Sequence, residues 1–255
     1  MRCLYREKRH KCGKYLEVDV FPVLEYQHGR SKKRKPTSEV QKNLNRINAE
    51  KKLARLLSTN FTNRDIRFDL TYNPDNLPAS PEDAQRQMQN FLRRVKRFRK
   101  RQGLPELKYI AVTEVGKNNG RVHHHIIMSG GVSISDLAEL WGRGYTTAKP
   151  LQFNDTGLVG IAKYFVIMKE PVLGKRWCSS KNLEKPKESQ RDGVISKRKV
   201  KEICENMGED NGLFEKLYPG YLLSEINTYY NGVNGGYYVN VIMREKPLKS
   251  GRKAS

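Results

Sequence analysis

The sequence predicts an α+β protein, an antiparallel sheet with helices on one face, and three observations carry that expectation. Between residues 61 and 172 the hydrophobic pattern runs strand, helix, hairpin, helix, strand, helix, the order of a two-layer sandwich. KYIAVTEVG (Lys108–Gly116) and RVHHHIIM (Arg121–Met128) read as the arms of a hairpin, and the KNNG between them supplies the positive-φ residues a tight turn needs. ASPEDAQRQMQNFLRRVKRFRKRQG (Ala79–Gly103) carries one apolar stripe, Met88, Phe91, Leu92, Val95 and Phe98, suited to docking a helix on that sheet.

In chain order, residues 1–60 read as a basic N-terminal extension. KYLEVDVFPVLEY (Lys14–Tyr26) alternates as a strand, and GRSKKRKP (Gly29–Pro36) is too charged to pack. The start signal Ser38-x-x-Gln41 precedes Val40, Leu44, Ile47, Leu53, Leu56 and Leu57, a helical stripe with cations on the opposing face. The central part, 61–172, opens with a strand and turn at RFDLTYNPDN (Arg67–Asn76). In the long helix that follows, Ser80 serves as cap, Pro81 occupies the first turn and Gly103 ends it. After the hairpin come a short helix (Ile134–Gly144), an extended stretch from Tyr145 to Phe153, and a helix from Thr156 to Glu170 that is apolar nearly all round and so expected to be buried. The remainder, 173–255, is a basic C-terminal region: a polar run (Lys175–Gly193), one or two short helices between Val194 and Leu217, and a closing hairpin, YLLSEINTYY then GYYVNVIMREK.

Composition narrows the function. Lys and Arg number 49 against 27 Asp and Glu, giving +22 and a pI near 9.9 in 255 residues. A polyanion is the expected partner, since solubility alone does not ask for such a charge. No apolar run reaches the roughly 20 residues of a spanning helix and no signal-peptide pattern opens the chain, so no membrane partner and a cytoplasmic location are expected. The four cysteines, Cys3, Cys12, Cys178 and Cys204, form no C-x-x-C pair, which points to reduced thiols; Cys3, His10 and Cys12 lack an evident fourth metal ligand. No G-x-x-x-x-G-K-[ST] loop is present, so unwinding of a duplex is expected to come from another protein.

Three consecutive histidines, His123 to His125, sit in the second arm of the central hairpin. Side chains alternate along a strand, so His123 and His125 share a face and His124 points the other way. Glu114, nine residues before His123, falls on the neighbouring strand at about their height. Two imidazoles and a carboxylate with open positions suit zinc hydrolysis, iron oxygenation or Mg²⁺/Mn²⁺ chemistry on phosphate. The charge favours phosphate, because a strongly basic chain concentrates nucleic acid. An attacking group is still required, and Tyr164, on the helix after the hairpin with Lys163 and Lys169 nearby, is the candidate; Tyr145 is the reserve.

FDLTY, then a Glu ahead of H-x-H, then a helical tyrosine with lysines nearby resemble, in that order, the three motifs of the HUH endonucleases. Within that superfamily the chain looks like a rolling-circle replication initiator of bacterial plasmids and phage-like elements. The resemblance implies an RRM-like or ferredoxin-like core over 61–172, with Glu114, His123 and His125 as ligands for Mn²⁺ or Mg²⁺. It implies attack by Tyr164 on single-stranded DNA at a replication origin, expected to include a hairpin, giving a 5′-phosphotyrosine and a free 3′-OH, with host helicase and polymerase as partners. Asp69 and Thr71, in the first motif, would help place the DNA. One departure stands out: the family's Y-x-x-K lysine falls at Ile167 here, leaving Lys163 or Lys169 to do its work. A non-catalytic single-strand-binding sheet with stacking aromatics such as Tyr72 is the alternative. A ribosome-like structural protein also fits the composition but gives no reason for Glu114, His123 and His125.

Overall fold

A computed structural model of the chain describes residues 4–23, 39–116, 120–167, 176–206, 208–232 and 235–247. The chain divides into two compact units, one comprising 1–44, 154–157 and 185–255, the other 45–153 and 158–184. Both have an antiparallel sheet with helices, so the class is α+β as the pattern predicted.

The second unit carries the central hairpin. Its strands are β3 (Ile66–Leu70), β4 (Tyr109–Val115), β5 (Val122–Met128), β6 (Thr146–Pro150) and the short β7 (Cys178–Ser179), in the order β6-β3-β5-β4-β7. Its helices are α1 (Glu39–Asn60, of which Asn45 onward belongs here), α2 (Pro81–Arg101), α3 (Ile134–Trp141) and α4 (Val159–Ile167). The start signals work as read: the Ser80 hydroxyl accepts the Asp83 amide at 3.2 Å and the Ser133 hydroxyl that of Asp136 at 3.0 Å, each closing one of the open N–H groups of a helix end. Gly142 then terminates α3 in the left-handed conformation at φ 58°.

Alternation divides this sheet cleanly. Phe68, Leu70, Ala111, Ile126 and Met128 pack against Met88, Phe91, Leu92 and Val95 of α2 and against Leu137 and Trp141 of α3. Ile110, Val112 and Ile127 point the other way, into a second core with Leu53 and Leu57 of α1 and Ala162, Phe165 and Val166 of α4. Helices therefore lie on both faces, and the second face is covered at the Ile127 end of β5. The polar residues at the other end of that face are Glu114, His123, His125, Asp69 and Thr71.

The first unit was the less legible. The segments read as terminal extensions, 1–60 and 173–255, contribute strands to one sheet. It is built from β1 (Tyr5–Cys12), β2 (Tyr15–Pro22), β8 (Lys187–Asp192), β9 (Tyr221–Asn231) and β10 (Gly236–Glu245), in the order β8-β1-β2-β10-β9. The expected strand at 14–26 and the closing hairpin are β2 and the β9–β10 pair. Two short helices, α5 (Lys197–Glu205) and α6 (Leu213–Leu217), cover one face through Val200, Ile203 and Phe214, against Val18, Val20 and Val241. On the other face His10 has Nδ1 3.2 Å from Glu188 and Nε2 3.7 Å from Asp19. The charged loop at 29–36, the KNN of the central turn and Cys3 lie outside the described residues.

Candidate active site

The hairpin register decides which side chains can meet. Glu114 stands directly opposite His123, and Asp69 directly opposite His125. All four project from the same face of the sheet, and His124, one residue out of step, projects from the other.

His124 is fully buried. Its Nε2 lies 2.8 Å from the Tyr72 hydroxyl and its Nδ1 3.0 Å from that of Thr113, and its ring meets Trp141 edge-on with centroids 6.0 Å apart. Burial, reinforced by the neighbouring His125 and His123, drives its pKa down to about 3. His124 is thus a core residue held neutral. Tyr72 belongs to this network and is buried too, so it does not offer a stacking surface to a base as the single-strand-binding reading supposed. Burial also raises its phenol above the ordinary value.

On the open face His125 is the centre of the cluster. Its Nδ1–H donates to Asp69 Oδ1 at 2.7 Å, and its Nε2 lies 2.9 Å from Glu114 Oε2. Asp69 is fixed in turn by Arg67, whose guanidinium approaches its two carboxylate oxygens at 2.9 Å. Burial on its own would raise the Asp69 carboxyl, but the hydrogen bonds and charges of His125 and Arg67 outweigh it and hold the group below the usual carboxylate range. Arg67 shows the mirror image: burial works against its charge, yet Asp69 and Tyr164 raise its pKa.

Tyr164 comes to this cluster from α4. Its ring meets His125 nearly perpendicularly, with centroids 5.7 Å apart, and the Arg67 guanidinium carbon sits over it at 4.6 Å from the centroid. It is half-buried, whereas Lys163 on the same helix is exposed and Lys169 lies outside the described residues. The cation found against the phenol is Arg67, to which the sequence reading gave no role. Its signal was present: Arg67 precedes Asp69 by two residues on a strand, and so had to share its face.

Thr71 donates its hydroxyl hydrogen to the Tyr145 carbonyl at 3.0 Å, joining β3 to the residue before β6. It lines a cleft with Leu77, Arg121, His123 and Tyr145, whose ring is 78% exposed. Tyr145 is therefore open to solvent beside His123, and Tyr164 is packed against His125.

The donors fit a divalent cation in part. Two cis ligands about 2.1 Å from one ion stand about 3 Å apart, and His125 Nε2 and Glu114 Oε2 are separated by 2.9 Å. The carboxylate behind His125 is the usual outer partner of a ligating imidazole, fixing the hydrogen on one nitrogen and freeing the other. His123 shares their face, but among the described residues no three His, Cys, Asp or Glu side chains are gathered as a bound metal would require. Replacing Asp69 with Asn is expected to weaken Mn²⁺ affinity about 10- to 100-fold while leaving metal-free DNA binding unchanged, as a Mn²⁺ titration by calorimetry would register.

A sheet with paired histidines and a carboxylate on one face, and a tyrosine-bearing helix packed beside them, is consistent with the HUH superfamily. Residues 66–169, from the first residue of β3 through α4, match the family model described as Replication-associated protein ORF2, which supports a Rep-type rolling-circle replication initiator. The matched stretch contains each residue of the cluster just described. No curated protein and no solved structure matches the chain. Among the described residues no helix is long and apolar enough to cross a membrane.

Proposed function

We propose that the chain initiates replication by nicking and rejoining single-stranded DNA at an origin through Tyr164. The observation that carries this reading is the packing of the Tyr164 ring against His125, with the Arg67 guanidinium over it. In the proposed step the Tyr164 oxygen attacks a backbone phosphorus and the bond from phosphorus to the 3′ oxygen breaks. The phenol proton leaves to solvent, the departing oxygen takes one up, and the products are a 5′-phosphotyrosine and a free 3′-OH. The phosphodiester energy is kept in the covalent link, so the strand can be resealed.

Arg67 puts positive charge beside the phenol while negative charge builds on the attacked phosphate, the part an electrostatic stabiliser plays. That supports Arg67, in place of Lys163 or Lys169, as the cation that Ile167 does not supply. Asp69 holds both Arg67 and the His125 ring, so it is a positioning residue. Glu114, His123 and His125 are the groups that would hold Mn²⁺ or Mg²⁺, which when bound polarises a phosphate oxygen. The reading is tested with a set of single-stranded and hairpin oligonucleotides. Nicking and a covalent adduct are expected with Mn²⁺ and their loss with EDTA; an EDTA-resistant adduct would remove the metal from the scheme. One observation favours the second reading, a single-strand-binding protein without turnover: the three donors are not drawn to one point. On that reading DNA binds with equal affinity with or without Mn²⁺, and no adduct forms.

A further inference from the structure

The outer side of α2 presents a concentration of positive charge that the helix does not need. From Arg93 to Arg101 it carries seven cations, Arg93, Arg94, Lys96, Arg97, Arg99, Lys100 and Arg101, and no carboxylate occurs between Asp83 and Glu106. Cations favour a helix C-terminus, but that effect fades beyond the last turn, so it accounts for Arg99 to Arg101 only. Two of the others have structural work. The side chain of buried Arg99 donates to the carbonyls of Pro105 and Gly130 at 2.9 and 2.6 Å, and Arg94 donates to that of Leu140, at the end of α3, at 2.8 Å. Lys96 has one distant carboxylate, Glu106 at 3.9 Å.

Arg93, Arg97, Lys100 and Arg101 are exposed and have no carboxylate partner among the described residues. Arg143, after α3, adds a further like charge: together with Arg97 it opposes the charge on Arg94, on top of the burial that lowers that guanidinium. Repulsion of this kind costs stability in the free protein and is relieved by a polyanion. Arg93, Arg97 and Lys100/Arg101 recur at three or four residues, so their charges repeat about every 5–6 Å along one helix edge. A row of that kind can meet consecutive phosphates of a DNA strand.

We propose that the exposed edge of α2, through Arg93, Arg97, Lys100 and Arg101, docks the phosphate backbone of duplex DNA. This edge backs the sheet face that holds His124, opposite to the face with Tyr164, so it is a second DNA surface and not part of the nicking cluster. It goes beyond the proposed function and is tested apart from it. A straight, rigid row of cations suits the regular phosphates of a duplex; contacts to phosphate carry affinity without sequence choice.

The test uses the full chain, a 20-base-pair duplex of arbitrary sequence and an oligo-dT of 20 nucleotides. The variant Arg93→Gln/Arg97→Gln/Lys100→Gln is compared with a control of equal charge loss in the other unit, Lys11→Gln/Lys197→Gln/Arg198→Gln, all exposed positions. In the α2 variant the duplex is expected to bind about 10- to 100-fold more weakly, with the slope of log affinity against log salt reduced by about 3. Oligo-dT binding, the oligo-dT salt slope and the control variant's duplex affinity should stay within about twofold of the parent. Unchanged duplex affinity in the α2 variant would overturn the proposal. So would an equal loss in the control, which would mean a general field, or an equal loss for oligo-dT, which would mean no duplex surface. Circular dichroism and melting of both variants establish that they fold. If the parent nicks no DNA but its duplex binding depends on α2, this inference stands and the tyrosine mechanism falls.

Discussion

Tyr164→Phe is expected to abolish the covalent DNA adduct and to lower nicking more than about 10³-fold, equivalent to about 4 kcal/mol of transition-state stabilisation. The substitution removes one oxygen from a ring that keeps its edge contact with His125 and its place under Arg67. Folding and DNA affinity should therefore stay near the parent values. The measurement is a denaturing gel of end-labelled oligonucleotide with protein and Mn²⁺, run beside a binding titration on the same DNA. Retained adduct in Tyr164→Phe, with loss in Tyr145→Phe, would hand the role to the exposed tyrosine beside His123. Retained nicking without any adduct would point to direct hydrolysis and end the tyrosine mechanism. Arg67→Lys is a useful companion, because it keeps a charge yet loses the planar fork that spans Asp69 and lies over the ring.

The second large effect concerns acid stability, and it comes from His124. In the unfolded chain this imidazole takes a proton near pH 6.5, whereas burial keeps it neutral in the fold down to about pH 3. The unfolded state thus binds the extra proton as pH falls below 6.5, so folding loses stability on the acid side. Stability tied to this residue is intact above about pH 6.5 and falls by up to about 1.4 kcal/mol per pH unit below it. Asp69 acts in a separate window, because its carboxyl is held below the ordinary value and its contribution fades only as pH drops past that range. Urea denaturation of metal-free protein from pH 7.5 to 4.5 should show the His124 slope. In His124→Gln the slope should flatten by about one proton. An unaltered slope would mean that this imidazole does charge in the native state.

Much of the site could be read from residues alone because strand alternation is a strict rule. H-x-H on one arm and Glu114 on the other had to share a face if the hairpin formed, and the register bears this out with Glu114 opposite His123. The same rule put His124 on the other face. The position of Tyr164 beside His125 was of another kind: helix periodicity says which residues of α4 are apolar, not which strand they meet, so the expectation came from the resemblance. Arg67 was passed over because it lies one residue ahead of FDLTY, and a charged residue on a strand is ordinarily a solvated one. In Asp69 the reading found a residue near the site but not the way it is joined to His125.

The first unit was hidden for a physical reason. β1, YREKRHKC, has polar residues at nearly every position, and Glu7 and His10 are buried in it, so no period of two in hydrophobicity marks it. β8, KESQRD, is exposed throughout. Both are strands because of partners far away in sequence: Arg6 of β1 pairs with Asp192 of β8, and β2 pairs with β10 near the other end of the chain. Pairing over such distances leaves no local mark. α5 and the β9–β10 hairpin, whose signals are local, were foreseen.

The run His123–His125 also restricts how this part of the molecule can change. Core and reactive surface take turns along a single β5, so sliding it by one residue against β4 would carry a neutral imidazole out into water and drive two others into the packing around Trp141. Insertions at the tip of this hairpin can therefore accumulate only outside the ladder. Within it, frame matters as much as identity, and three adjacent identical residues are anything but interchangeable.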